Sequence, residues 1–443
     1  MRVAVTGGSG QLGTLLLRRL ADDRRVKEIV ALDLRPPLIV SGKLRDVRAD
    51  VRDPGIGEHL RGCEALIHLA FLVAKRGPRS LQDDVNVRGS ANLFRAALAC
   101  GVRRILYASS VAAYGVVPGL PVPVSEEIPR TRQPDFWYAC AKFDVEKDLD
   151  DLERENPDLS VARFRPAILV GRRMENQLGW ALRHAFLPRT GPLPLVWDED
   201  AADAFLLALR SGAKGAFNLA ADQPLPPSEL AKEGGLRLLR LPRGPLRAVD
   251  RALVALRLLP PADPGWLATS GLSLVYSSEK ARRELGWTPR CATAREVIRC
   301  YAANVPRKVD RRIALWARVV DRAARSGPAR AELKGYDATV HLDLTGPGGG
   351  DFTLRVAEGR VRLRPGLPRP ANAAVCMKAS TLLDLLAGRG DVATAQLTGK
   401  IRIDGQGHAL LVVGGLLAGF REAGRLPGWR GLMARRIQRW IAA

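Results

Sequence analysis

The chain has no run of apolar residues approaching the ~18 to 20 that a membrane-spanning helix needs. The longest candidate, Ala409–Phe420, is too short. Cysteine is sparse: Cys63, Cys100, Cys140, Cys291, Cys300 and Cys376 are scattered through 443 residues with no C-x-x-C pair. That excludes a disulfide framework and a cysteine zinc site, and fits a reducing compartment. Histidine is equally scarce, and His59, His68, His184, His341 and His408 show no metal-ligand spacing, so no metal is expected. No internal repeat is visible. Nor is a signal peptide, because Met1-Arg-Val-Ala-Val-Thr6 already has the pattern of a buried strand. The expected location is therefore cytoplasmic. Acidic side chains are in deficit, 46 against 69 Lys and Arg, for a formal charge of +23. Such an excess attracts anionic partners. No recognition motif accompanies it, so nucleic acid is not an expected partner.

What is present is globular: 47% hydrophobic and 26% charged residues, in a chain too long for one core. Short apolar runs at Arg2–Thr6, Glu28–Asp33, Ala65–Leu69, Arg104–Ser109 and Ser160–Phe164 alternate with helix-period stretches at Gly10–Ala21, Asn86–Ala99 and Trp137–Glu153. The alternation predicts an α/β fold, a parallel sheet covered on both faces. The pattern closes near Glu284-Leu-Gly-Trp287-Thr-Pro289 and the helix Ala294–Ala302, giving a first domain of residues 1–305. A basic helix within 306–335 has the look of a linker, with Trp316, Val319, Val320 and Ala323 on one face. Strand-like Tyr336–Thr345, Asp351–Val356 and Arg360–Arg364, followed by helices, predict a separate α+β domain over 336–421. A basic amphipathic tail occupies 422–443.

Gly7-Gly8-Ser9-Gly10-Gln11-Leu12-Gly13 follows the first strand and opens a helix. Glycines there allow a tight turn and close approach to a pyrophosphate, and the helix N-terminus offers free N–H groups and a partial positive charge. Asp33 stands twenty residues after Gly13, where a carboxylate bonds ribose hydroxyls and repels a 2′-phosphate. This is a Rossmann nucleotide site, with Gly7, Gly10, Gln11, Leu12, Gly13 and Asp33 as cofactor-binding residues. NAD is favoured. Arg35, two residues on, leaves NADP as the alternative.

Tyr138-Ala-Cys-Ala-Lys142 places a phenol and an ammonium on one helix face at i, i+4. A nearby ammonium favours the phenolate and is expected to lower the phenol's pKa. Ser110, past the fourth strand, stands where it could hydrogen-bond the same substrate oxygen. The three together could move a proton at an alcohol or ketone while hydride moves at its carbon.

These segments resemble the extended short-chain dehydrogenase/reductase family, the NAD-dependent epimerase/dehydratase group. Further matching pieces are Asp50-Val-Arg-Asp53, Ile67-His-Leu-Ala70, Asn86-Val-Arg-Gly89-Ser-Ala-Asn92-Leu93, Ser109-Ser110-Val-Ala-Ala-Tyr114-Gly115 and Arg165-Pro166-Ala-Ile168-Leu-Val-Gly171. They cover most of Met1–Gly171, and Phe217-Asn-Leu-Ala220 continues the likeness. The resemblance implies a doubly wound parallel sheet with a small substrate-binding lobe. It also implies that Asp50 and Val51 contact adenine, that Leu69 and Ala70 line the cofactor, and that Pro166 and Ile168 meet its nicotinamide end. Tyr138 and Lys142 would touch the cofactor as well, and Ser110 rather than Ser109 would be the catalytic serine. Three departures stand out: Ala141, Phe71 and Arg172 replace a serine, a small residue and a proline. None is expected to touch the catalytic set.

His341–Gly359, Ala374–Gly388 and Leu397–Gly405 resemble the sterol carrier protein type 2 fold over roughly Tyr336–Phe420. That resemblance implies an apolar tunnel, for which Leu382, Leu383, Leu385, Leu386, Leu410, Leu411, Val412, Leu416 and Leu417 are candidates; as readily, they form the core. Basic amphipathic stretches at Leu246–Leu259, Arg312–Arg325 and Trp429–Ile441 suit an anionic membrane surface. The fusion points to an NAD(P)-dependent oxidoreductase acting on a hydrophobic substrate, sterol-like or isoprenoid-like, with a lipid-binding second domain. Two alternatives stay open: a nucleotide-sugar epimerase or dehydratase with tightly held NAD, and a non-catalytic lipid-binding scaffold with structural NAD. A homodimer is left open too.

Overall fold

Val3, Ala4 and Val5 of strand β1 (Arg2–Thr6) are wholly buried, as a strand covered on both faces must be. In the computed structural model this strand lies inside a seven-stranded sheet. The structure describes residues 1–73, 78–115, 119–174, 178–179, 182, 186–187, 191–235, 237–238, 274–305, 309–323, 337–357, 360–367, 371–405, 413–417, 420 and 428–442. The chain divides into two units, Met1–Pro36 with Lys43–Tyr301 and Pro37–Gly42 with Ala302–Ala443.

The other strands of the first unit are β2 (Glu28–Asp33), β3 (Leu44–Arg48), β4 (Ala65–His68), β5 (Arg104–Ala108), β6 (Ser160–Pro166) and β7 (Gly215–Leu219). Their order is β7-β6-β5-β4-β1-β2-β3 and every neighbouring pair is parallel. The chain winds outward from β1 to β3, then returns to β4 on the other side. The crevice at the strands' C-terminal ends, where the winding reverses, is the ligand position of such sheets. Helices α1 (Gln11–Asp22), α2 (Gly89–Ala99), α3 (Trp137–Glu155), α4 (Asp198–Ser211) and α5 (Ala294–Asn304) cover it. Each buries a stripe at helical spacing, such as Leu12, Leu16 and Leu20 of α1 or Phe205 and Leu209 of α4. One core joins Ala4, Val30, Leu66, Phe94, Ile105 and Val145.

The sequence alternation omits β3 and β7. Strand β3, Leu-Arg-Asp-Val-Arg, carries only two apolar residues because it forms a half-exposed edge. The helix read from Asn86 begins as a π-helical turn, Asp84–Arg88.

The second unit holds a mixed sheet of β8 (Ala338–Thr345), β9 (Gly350–Ala357), β10 (Arg360–Pro365), β11 (Ala373–Lys378) and β12 (Ile401–Gly405), ordered β10-β9-β8-β11-β12. Only β8 and β11 run parallel. Strands β11 and β12 occupy sequence that the pattern assigned to helices. The stretch read as a linker also differs. Its helix α6 (Arg311–Ala323) buries Ile313 and Trp316 in the same core as Val340, Leu342 and Leu354. The apolar stripe among the arginines was a packing signal. Helices α7 (Ala379–Leu386) and α8 (Gly428–Ala442) complete the elements used below. Among the described residues no helix is long and apolar enough to cross a membrane. The basic stretch Leu246–Leu259, the tunnel candidates Leu410, Leu411 and Val412, and His184, His408, Tyr336, Gly359 and much of 306–335 lie outside the described residues.

Candidate active site

The loop after β1 is shaped by what a Cβ would strike. Gly7 has φ +71°, and a Cβ there would lie 2.7 Å from the Ala70 nitrogen and 2.8 Å from the Leu69 carbonyl carbon. A Cβ on Gly13 would overlap the Gly7 carbonyl oxygen. The loop therefore lies directly against Leu69 and Ala70 at the end of β4. Thr6 Oγ1 accepts from both their N–H groups at 3.3 Å and pairs with His68 Nδ1 at 2.7 Å. Burial, aided by Lys142, pushes His68 down to about 3, so the ring is neutral. Its other nitrogen meets Ser90 Oγ at 2.8 Å, which makes it a structural strut.

Gly10 precedes α1 and no side chain caps that helix, so its first N–H groups are available to an anion. The Asp33 carboxylate reaches over this loop. One oxygen accepts from the Ser9 N–H at 3.0 Å and the Ser9 hydroxyl at 2.7 Å; the other accepts from the Arg35 N–H at 3.0 Å. Leu12 turns into the core. Gln11 turns outward from the loop and donates to Asp198 Oδ2 at 2.9 Å. Asp50 is held by the guanidinium and N–H of Arg52, whose hydrogen bonds lower its pKa against the effect of burial. Val51 is buried and its carbonyl accepts from Asn92 at 2.9 Å. Pro166 ends β6, and Ile168 begins the short strand Ile168–Val170, its N–H bonded to the Pro194 carbonyl at 3.1 Å. A glycine cradle, an uncapped helix end and a carboxylate at the β2 terminus fit a dinucleotide.

Tyr138 lies in the first turn of α3, one turn before Lys142. Ser110 caps the turn Val111–Tyr114, accepting the Ala112 N–H at 3.1 Å, and hydrogen-bonds the Tyr138 phenol. Lys142 is 3% exposed and donates to the Ala108 carbonyl at 2.6 Å and the Tyr107 hydroxyl at 3.2 Å. Its Nζ lies 5.8 Å from the centre of the Tyr138 ring. The structure thus brings Ser110, Tyr138 and Lys142 together. The electrostatics differ from the sequence expectation. Burial pushes the Tyr138 phenol up to about 12, and the Ser110 hydrogen bond offsets only part of that. Burial also drives Lys142 well below the ordinary lysine range, opposed by Glu146. A desolvated ammonium favours its neutral form, so it does not pull the phenol down.

Three residues that sequence reasoning did not place prove central. Phe71, expected to stand clear of the catalytic set, lies edge-on to Tyr138, ring centres 5.7 Å apart, and covers Lys142 Nζ at 3.4 Å. Glu146 is fully buried one turn after Lys142. It accepts from Ser109 Oγ at 2.5 Å, from Arg165 at 3.0 and 2.6 Å, and from Arg130 at 3.1 Å. The i+4 step from Lys142 was the available signal. Asp198 is buried beside Gly171 and Gln11, and burial raises it to about 7; nothing in the sequence marks it.

Residues 3–220 match the NAD dependent epimerase/dehydratase family, and residues 319–418 match the SCP-2 sterol transfer family. Sterol demethylase protein B of Methylococcus capsulatus is 33% identical over 238 residues, 48% of this chain and 68% of that protein. The 2-alkyl-3-oxoalkanoate reductase of Stenotrophomonas maltophilia is 27% identical over 354 residues, covering 69% of this chain and 99% of the reductase. Among solved structures, dTDP-glucose 4,6-dehydratase from Streptomyces venezuelae with NAD bound superposes with a TM-score of 0.54 at 22% identity, over 68% of this chain and 97% of that one. At that identity the likeness establishes the fold.

Proposed function

The chain belongs to the NAD dependent epimerase/dehydratase family, and from that premise we propose that it is an NAD(P)-dependent oxidoreductase acting on a hydroxyl or ketone of a hydrophobic, sterol-like or isoprenoid-like substrate. Ser110, Tyr138 and Lys142 are its catalytic residues. The observation that carries the reading is the union, in one chain, of this cluster with a second unit whose core holds an apolar cavity. Trp316, Leu342, Leu354, Met377, Leu382 and Leu416 line that cavity. The Trp316 indole N–H, buried there, has no hydrogen-bond partner. The cavity as it stands admits little more than one water-sized molecule, so a lipid body would have to part its apolar lining.

Asp33 at the β2 terminus favours NAD, with NADP the alternative. Gly7, Gly10, Gln11, Leu12 and Gly13 cradle the pyrophosphate, Asp50 and Val51 meet the adenine, and Leu69, Ala70, Pro166 and Ile168 line the remainder. When bound, the nicotinamide gives or takes hydride at the substrate carbon. The chain's own residues manage the proton. A phenol raised to about 12 is protonated near neutrality, so Tyr138 acts as the acid toward a carbonyl oxygen that Ser110 also holds. Reduction is then the easier direction near pH 7, and oxidation quickens as the pH rises. Lys142 holds the nicotinamide ribose.

The proposal extends to an anionic membrane surface. On α8, Leu432 and Trp440 are 49% and 46% exposed beside exposed Arg435, Arg436 and Arg439. Two apolar anchors among three cations suit that surface. The enzyme proposal is tested by supplying the purified chain with NAD and NADH and, in parallel, hydroxysteroids, ketosteroids and nucleotide sugars. Turnover of steroids alone supports it; turnover of nucleotide sugars alone replaces it with an epimerase or dehydratase.

A further inference from the structure

Cys291 and Cys300 bring their sulfur atoms to 2.7 Å of each other. Other thiols of the chain point at oxygen: Cys100 at the Gly57 carbonyl, Cys140 at the Gln133 carbonyl and Cys376 at the Asp343 carboxylate. The meeting of two sulfurs is imposed from both sides. Cys291 sits in a loop clamped by Asp200 of α4, whose carboxylate accepts the N–H groups of Arg290 and Cys291 at 3.0 Å each and whose carbonyl accepts the Trp287 indole N–H at 2.8 Å. The loop is pinned again two residues on, where Ala292 O and Ala294 N bond Asp222 at 2.7 and 2.8 Å. Cys300 rides on α5, which buries Val297, Ile298 and Tyr301 and is tied by Arg295 and Arg299 to Glu233 of the helix Pro227–Glu233. At 2.7 Å the two sulfurs already stand close to the bonding distance of about 2.05 Å.

We propose that Cys291 and Cys300 are a reversible redox pair that closes a disulfide under peroxide or a low-molecular-weight disulfide, stapling α5 to the loop that precedes it. Cys291 is 1% exposed, whereas Cys300 is partly exposed and meets the oxidant first. Burial and the neighbouring sulfur raise the Cys291 thiol, which keeps it protonated until its partner is oxidised. With hydrogen peroxide, the Cys300 thiol becomes a sulfenic acid and one water leaves. The Cys291 sulfur then attacks the Cys300 sulfur, the S–O bond breaks, and the second water carries away the Cys291 proton. Two thiols lose two electrons and two protons, and one peroxide becomes two waters. An added dithiol reverses the step by exchange. The closed ring spans few residues and fixes the C-terminal helix of the first unit against the element that Asp200 anchors.

The full chain is treated with graded hydrogen peroxide, its remaining thiols are alkylated, and the tryptic peptides are weighed. Cleavage after Arg290, Arg295, Arg299 and Arg307 separates Cys291 and Cys300 into peptides 291–295 and 300–307. The expected result is a cross-link between these two peptides, at peroxide levels that leave Cys63, Cys100, Cys140 and Cys376 alkylated, with reversal by dithiothreitol. The oxidised chain should also melt several degrees higher than the reduced one, and Cys300→Ser should abolish both effects. Alkylation of both peptides at every peroxide level, or cross-links that pair other cysteines equally, overturns the proposal. The cross-link and its reversal are read on the unsubstituted chain, so they do not depend on how well Cys300→Ser folds.

Discussion

The Nζ of Lys142 lies 3.4 Å from the centre of the Phe71 ring, so the family's lysine is covered by an aromatic face where a small residue was expected. Burial favours the neutral amine there, so the attraction of about 0.5 to 2 kcal/mol for a cation over such a face is gained only as Lys142 takes up a proton. The same ring touches Tyr138 at 5.7 Å and ties the end of β4 to the start of α3. Phe71→Leu should keep most of the burial and lose the ring's attraction for the charge. In a double-mutant cycle with Lys142→Met, denaturant melts should give a coupling that grows as the pH falls and the amine is protonated, toward about 0.5 to 2 kcal/mol. A coupling of zero would mean that the two side chains are merely neighbours.

Glu146 supplies the buried counter-charge behind the catalytic pair. Removing one partner of such an ion pair typically costs about 3 to 5 kcal/mol, so Glu146→Gln should be severely destabilising, and Glu146→Leu with Arg165→Met less so than the single change. The pair also sets a pH window. Burial alone would raise the Glu146 carboxyl, but the Arg165 and Arg130 guanidiniums hold it below its usual 4.5. A depressed acid stabilises the fold above its unfolded pKa and ceases to as the pH falls through its folded value. Wild type should therefore lose more stability than the Leu/Met double variant as the pH falls below about 4.5, a difference that thermal melts can read.

Asp198 behaves with the opposite sign. Its folded pKa is about 7 because burial dominates, so the folded chain holds a proton that the unfolded chain releases near 3.8. Stability then falls as the pH rises from about 4 to about 7. Asp198→Asn should leave stability unchanged near pH 4 and raise it at pH 8, by on the order of 4 kcal/mol at 1.36 kcal/mol per unit. The amide can still pair with Gln11. Equal melts for the two chains at pH 8 would contradict this account of the carboxyl.

If α8 meets a membrane, the full chain should co-sediment with vesicles containing anionic phospholipid and not with neutral ones. Trp440→Ala and the triple change of Arg435, Arg436 and Arg439 to Gln should each reduce that binding, the second more steeply at low salt. Equal sedimentation with neutral and anionic vesicles would remove the electrostatic part of the proposal.

Much of the first unit is legible in the chain because buried parallel strands and amphipathic helices leave strong periodic signals. Strands β1 and β2 are the clearest cases, and the glycine loop between β1 and α1 has no common purpose but close approach. Edge strand β3 was hidden because a half-exposed edge carries few apolar residues. Strands β11 and β12 were hidden because short apolar runs read equally as helix or strand. Tyr138 and Lys142 announce themselves by i, i+4 spacing, whereas Phe71 and Asp198 reach the site only through tertiary folding, from the end of β4 and the start of α4. The depressed lysine and raised phenol have the same origin: burial depends on what covers a group, and no local spacing encodes that. Trp316 misled for a related reason, since an apolar stripe among arginines resembles a free helix until the sheet that covers it is known.

Hydride transfer to a hydrophobic carbonyl, with Tyr138 delivering the proton, is most directly tested by following NADH oxidation with a ketosteroid for wild type and Tyr138→Phe, alongside NADH binding by each. Wild type should turn over, and Tyr138→Phe should bind NADH equally well while losing at least about 10²-fold in kcat, the usual scale for a positioned acid. Equal turnover by the two chains, or wild-type activity confined to nucleotide sugars, would contradict the account.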